Sequence, residues 1–231
     1  LAEAGYVLQG AFEEFPKGTI HILSVDSELT PENKHVVIKY NNCFFIGADN
    51  GVFSLIFRDT RPDQIFEINL HSNYNYKISA DDLFVKVAAH INRSGPLNVV
   101  GSEIKKIKEI YNLRPVVNKE GNQIIGSVIY IDNYGNVVTN ITKKIFNEVS
   151  KTRSFTINAR NVKFSKIHQN YSDAIDFNLE KKNREEDGKK IALFNSLGYL
   201  QLSIYKSNPQ TVGSASTLFG LNYRDPVSVY F

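Results

Sequence analysis

Four polar turns follow strand-like runs in this chain. They are Asp26 after ILSV, ADNG at 48–51, DNYGN at 132–136 and NSLGY at 195–199. Loops of this kind, carried on a rigid scaffold, are where small ligands sit. Each also has a plain explanation, because Asn, Asp and Gly form turns for backbone reasons alone. Tyr134 and Tyr171 fit either a core or a clamp that stacks on a planar ring. Asp26 fits either a strand-end turn or a carboxylate that orients water and takes its proton. Other chemistries lack their residues. His21, His35, His71, His90 and His168 form no metal-type pair, and Cys43 is the single cysteine. No phosphate-binding or dinucleotide glycine pattern and no Gly-x-Ser-x-Gly elbow is present. The residues alone point to a two-domain enzyme or a binding protein for a small polar ligand.

The elements that must position these turns change character along the chain. Residues 1–15 carry apolar side chains at helical spacing, without a cap before them, so the chain is expected to begin inside a domain. IHILSV (20–25), HVVIKY (35–40), CFFIGA (43–48) and IFEINL (65–70) predict strands. Residues 79–94 predict a helix with Ser79 as N-cap and Asp81 and Asp82 in its first turn. A linker over 95–121 is expected to hold a short basic helix, EIKKIKEIY (103–111). Beyond it, QIIGSVIYID, VVTNI, SFTINAR, VKFSKI, KIALFNS and YLQLSIY are short strands at regular intervals, the pattern of an antiparallel barrel. The expected layout is an α/β domain over 1–94, the linker, and a β-barrel domain over 122–231. EKKNREEDGKK (180–190) reads as a solvated loop or hairpin tip.

The bulk properties agree with such a protein. With 42% hydrophobic and 22% charged residues a buried core is available. A formal net charge of +3 gives no argument for nucleic acid or a membrane surface as partner. No apolar run is long enough to span a bilayer. One cysteine excludes an internal disulfide and fits a reducing compartment, so a cytoplasmic location is expected.

Taken together, the turns carry a resemblance. FPKGTIHILSVD (15–26), FFIGADNGVFS (44–54), DLFVKVAAHI (82–91), IDNYGNVVTNI (131–141), ALFNSLGYLQLSI (192–204) and LFGL (218–221) resemble the S-adenosylmethionine hydrolases, or hydroxide adenosyltransferases, relatives of fluorinase and chlorinase. The resemblance spans nearly the whole chain. It implies an N-terminal α/β domain, a C-terminal β-barrel and a homotrimer with substrate held between neighbouring subunits. It also implies attack of water on ribose C5′ of S-adenosylmethionine, giving adenosine and methionine, with neither metal nor cofactor.

By the same resemblance Tyr134 stacks on adenine, Asn136 hydrogen-bonds it, Tyr171 is a second stacking aromatic, and Ser196 meets the methionine amino-acid group. Asp132 either joins them or simply fixes the turn. The family's catalytic trio falls on Asp26, Asn33 and Ser79. The Asp is retained, whereas the family's Arg is replaced by Asn33, with Lys34 adjacent and counted as substrate-binding. The family's His is replaced by Ser79. Halogenases carry a tyrosine in place of Asp26, and a carboxylate there repels a halide. The family opens with a strand and an aspartate loop gripping the ribose, a region this chain is expected to start after. Two other readings stay open, a non-catalytic adenosyl-ligand binding protein and an adenosyl transferase using another nucleophile.

Overall fold

The computed structural model describes residues 1–58, 60–70, 78–110, 114–184 and 188–231. The chain divides into two compact units, Leu1–Tyr111 and Asn112–Phe231. Residues 185–187 of the charged run expected to form a solvated loop, and residue 111 of the expected basic helix, lie outside the described residues.

In the first unit the strands β1 (Ile20–Leu23), β2 (His35–Tyr40), β3 (Cys43–Ala48), β4 (Gln64–Ile68) and β5 (Gly101–Glu103) form one sheet in the order β1-β3-β2-β4-β5. β1 and β3 run parallel, and the other pairs are antiparallel. The unbroken apolar run VVI in β2 reflects a sheet covered on both faces. Val36, Ile38 and Phe45 pack with Phe12, Phe53 and Phe57 on the side of α1 (Ala2–Ala11) and α2 (Val52–Phe57). Val37, Ile46 and Ile68 pack on the other side with Leu83, Phe84, Val87 and Ile91 of α3 (Ala80–Asn92).

The expected helix over 103–111 is not formed in its described part. Residues 101–103 are β5, and residues 104–110 hold no helix. Two of the isoleucines at every third position, Ile104 and Ile107, are partly buried and pack against the first of these clusters. Their backbone, however, finds partners outside the segment. Ile104 N donates to the Ile65 carbonyl at 2.9 Å, Lys108 N to Asp49 Oδ1 at 2.9 Å and Ile110 N to Ser54 Oγ at 3.2 Å. Those bonds replace the i→i−4 ladder a helix needs.

In the second unit β6 (Val116–Val117), β7 (Gln123–Ile131), β8 (Val137–Thr142), β9 (Thr156–Ala159), β10 (Val162–Phe164), β11 (Lys190–Phe194), β12 (Tyr199–Ile204) and β13 (Pro226–Tyr230) form an eight-stranded antiparallel, nearly closed barrel-like sheet. Its order is β10-β9-β13-β7-β8-β12-β11, with β6 beside β7. Alternate residues such as Val137, Ile141, Leu200, Leu202, Val227 and Val229 fill the interior. Phe146 of α4 (Lys143–Ser150) and Phe219 of α5 (Ala215–Phe219) join that core. No helix among the described residues is long and apolar enough to cross a membrane.

Candidate functional site

Asp26 lies just past the carboxyl end of β1, the edge where open α/β sheets hold ligands. β1 ends at Leu23, two residues before the predicted limit. The carbonyls of Val25 and Asp26 instead accept hydrogen bonds from Asn50 Nδ2, at 2.7 and 3.1 Å. Asn50 is buried, and its Oδ1 accepts from Val52 N at 3.1 Å at the start of α2. It follows β3, the parallel neighbour of β1, so one side chain ties the two strand ends together. Asp26 has φ of 48°, a left-handed conformation that Asp tolerates better than most residues, and its side chain is exposed.

The rest of the loop is tied down as firmly. Ser24 Oγ donates to Asp81 Oδ1 at 2.5 Å, which joins the loop to the first turn of α3. His35 is buried edge-on against Phe84 and meets the Ser27 carbonyl through Nε2 at 2.8 Å. Burial lowers the His35 pKa below its ordinary 6.5, while the bond to Ser27 raises it.

The other two members of the expected trio are engaged in the fold. Asn33 Oδ1 accepts from Lys108 Nζ at 3.1 Å. Ser79 caps α3, its Oγ accepting from Asp82 N at 3.1 Å. The Lys34 side chain is exposed, and its carbonyl accepts from Asp49 N at 2.6 Å. Asp49 Oδ1 in turn accepts from Lys108 N. Burial raises the Asp49 pKa above its ordinary 3.8, opposed by the bond to Lys108 and by its charge and assisted by Glu67. Lys34 also lines an open groove of about 510 Å³ with Leu29, Thr30, Glu67 and Asn69. Thus Asp26, Asn33 and Lys34 share one anchored loop, and Ser79 begins the helix to which that loop is tied.

The second unit holds the other candidates. In the turn between β7 and β8, Asp132 Oδ1 accepts from Tyr134 N and Asn136 N, both at 2.9 Å, and Oδ2 accepts from Asn136 Nδ2 at 2.8 Å. Asp132 therefore fixes the turn, one of the two roles expected of it. Gly135 has φ of 73°, and a Cβ there would collide with the Ser214 side chain, so this position requires glycine. Its carbonyl accepts from Ser216 N at 2.9 Å, which seats the turn on the start of α5. The result is a rigid turn with Asn136 buried and Tyr134 71% exposed, an aromatic held out to solvent.

Tyr171 sits in a 3-10 turn, Tyr171–Ala174, capped by Asn170, whose side chain accepts from Asp173 N. It is 38% exposed, so it is not one of the core aromatics. Ser196 is exposed in the β11–β12 turn. There Asn195 Oδ1 accepts from Leu197 N and Tyr199 N at 3.1 and 3.0 Å. Among the described residues no group of three or more His, Cys, Asp or Glu side chains is gathered to hold a metal.

Sequence reasoning flagged ADNG as a turn but missed Asn50 as the tie on Asp26. The signal was its place two residues after a buried strand. It also placed Lys108 on a helix, whereas Lys108 bonds to both Asp49 and Asn33.

The chain thus combines an α/β unit with polar loops at its parallel strand ends and a barrel unit presenting aromatics on braced turns. The comparisons are specific. Residues 1–101 match the model of the SAM hydroxide adenosyltransferase N-terminal domain, and residues 126–228 match that of its C-terminal domain. The chain belongs to the SAM hydroxide adenosyltransferase family. A relative from Methanocaldococcus jannaschii, named (R)-S-adenosyl-L-methionine hydrolase, is 28% identical over 233 residues, covering 98% of this chain and 76% of its own. An uncharacterized conserved protein from Thermotoga maritima shares the fold with a TM-score of 0.75 at 23% identity, covering all of this chain and 84% of its own. A conserved hypothetical protein from Thermus thermophilus does so with a TM-score of 0.67 at 17% identity, covering 99% and 80%.

Proposed function

We propose that this chain hydrolyses S-adenosyl-L-methionine to adenosine and L-methionine by attack of water on ribose C5′. The observation that carries the reading is Asp26, an exposed carboxylate whose backbone is held by Asn50 at the ends of the parallel strands. Water attacks C5′ in line with the C5′–S bond. The bond to sulfur breaks, its electron pair stays on sulfur, and the neutral thioether of methionine departs without protonation. The water proton passes to Asp26. Positive charge disappears as the sulfonium is consumed, so a dry pocket favours the reaction, and the main demand on the protein is orientation. No metal or cofactor is called on.

In this reading Tyr134 and Tyr171 stack on the adenine. Asn136, which gives one N–H to Asp132, has a second N–H and a carbonyl oxygen to offer the ring. Ser196 meets the amino-acid group, and Lys34 supplies a cation from the loop that carries Asp26. We also propose a homotrimer with sites between subunits, as the resemblance implies. Light scattering tests this, and a monomer with full ligand binding would count against it.

A second reading, an adenosyl-ligand binding protein without turnover, is favoured by one observation. Asn33 and Ser79 are already engaged, with Lys108 and as a helix cap, and neither is a base at neutral pH. Incubation with S-adenosylmethionine followed by chromatography separates the readings. Free adenosine supports hydrolysis, retention of substrate without turnover supports binding alone, and a different 5′-substituted product supports transfer to another nucleophile.

A further inference from the structure

β12 alternates as a barrel strand should. Leu200, Leu202 and Ile204 point into the core, which turns Gln201 and Ser203 to the opposite face. A polar pair on that face is ordinarily wet, yet Gln201 is 7% exposed and Ser203 is fully buried. The 3-10 turn carrying Tyr171 reaches this pair. Gln201 Nε2 donates one proton to the Tyr171 hydroxyl at 2.5 Å and the other to Ser203 Oγ at 3.1 Å. Its Oε1 accepts from Asn195 Nδ2 at 3.4 Å. Both donors and the acceptor of this buried amide are thus engaged, and loss of any partner would leave a buried polar atom unpaired.

We propose that Gln201 is a positioning residue of the adenine site. It holds Tyr171 by the hydroxyl and joins it to the Asn195 turn that presents Ser196. The inference rests on the adenine-clamp reading above. The tyrosine backbone is fixed independently, since Asp173 accepts from Gln169 N at 3.2 Å and lies near His168 and Lys166. With the backbone fixed, the short bond to Gln201, beside a longer contact of 3.4 Å between the hydroxyl and Ser203 Oγ, sets the angle of the ring. Because Asn195 also closes its own turn, the same amide gives the two proposed ends of the substrate site a common anchor. A buried network of this kind acts as a unit, and a double-mutant cycle is the measurement that apportions it.

The test is calorimetric binding of adenosine to the intact protein in the forms Gln201→Leu, Gln201→Glu, Tyr171→Phe and the double variant Gln201→Leu/Tyr171→Phe, with Tm recorded for each. Gln201→Leu and Tyr171→Phe are each expected to weaken binding by about tenfold, the scale of one buried hydrogen bond. The double variant should be no weaker than the Gln201→Leu form. Gln201→Glu should recover most of the affinity, since a carboxylate accepts from the tyrosine hydroxyl and from Asn195. A lowered Tm with parental affinity, or losses that multiply in the double variant, overturns the inference while leaving the clamp reading intact. A parent protein that does not bind adenosine overturns both. Should the Gln201→Leu form fail to fold, the Tyr171→Phe and Gln201→Glu forms decide the matter.

Discussion

Asn50 holds Asp26 by the backbone. Its amide donates to the Asp26 carbonyl at 3.1 Å and to the Val25 carbonyl at 2.7 Å, across the ends of two parallel strands. The carboxylate is left exposed on a main chain bent to φ of 48°. Asn tolerates that conformation as Asp does, so Asp26→Asn removes the charge and leaves the bend. In the proposed hydrolysis this variant should lower kcat by about 10²–10⁴-fold, the scale of a lost general base. Adenosine affinity should hold, because the proposed adenine contacts belong to the second unit. A variant that turns over as fast as the parent removes Asp26 from the role.

Tyr134 is 71% exposed, so Tyr134→Ala should leave Tm nearly unchanged, since surface substitutions usually fall within about 0.5 kcal/mol. Adenosine binding should weaken markedly, because a stacked ring contributes on the order of 1–3 kcal/mol. Titration calorimetry beside a melting curve separates the two effects. Equal affinity in the two proteins would end the stacking assignment.

Asp132 is a different case, because its three hydrogen bonds serve its own turn. Asp132→Ala should destabilise the second unit by about 1–3 kcal/mol, since the buried Asn136 amide loses its partner. Urea unfolding followed by a probe in the barrel reads this directly. A variant as stable as the parent would mean that the turn is held by α5 alone.

Acid should loosen the first unit. Burial lowers the pKa of His21 and of His35 from the ordinary 6.5. His21 is stacked on Phe45 at 4.9 Å. Below 6.5 the unfolded chain takes up protons that the folded unit refuses, so stability present above that pH is lost as pH falls toward the folded values. Asp49 shifts the opposite way, upward from 3.8, and favours the folded state only at lower pH. Amide exchange in β2 and β3, corrected for its intrinsic pH dependence, should therefore report a smaller opening free energy at about pH 5.5 than at about pH 7.5. His21→Phe should flatten the change. A pH-independent exchange free energy in the parent would show that these rings do not govern it.

How much of this was legible beforehand differs by element. β2 and β3 announced themselves through runs such as HVVIKY, because a sheet buried on both faces needs apolar residues throughout. Ser79 as N-cap was equally clear, since the capping geometry is local. The segment 103–111 misled because isoleucine at every third position fits a helix face and also an extended chain laid along a formed core. Only the tertiary partners of its N–H groups decide between them. α4 and β13 are not among the elements the sequence predicted. Among the site candidates, Asp26, Tyr134 and Ser196 stand exposed on braced turns, as polar punctuation suggested. Gln201 was invisible, because a glutamine in a strand reads as a solvent-facing residue until the turn that covers it is known.

The placing of β13 bears on how the protein is made. This strand follows β1 to β12 in sequence, yet it lies inside its sheet, paired with β7 on one side and β9 on the other. On the ribosome all five described strands of the first unit's sheet have been made by residue 103. The barrel, in contrast, emerges as two fragments, β9–β10 and β7–β8–β12–β11 with β6 beside β7, each with an edge open to other chains. Synthesis halted before residue 226 would leave the second unit as a pair of adhesive half-sheets. Premature termination late in this chain should therefore promote aggregation, in which the missing residues matter for the edges they would have closed.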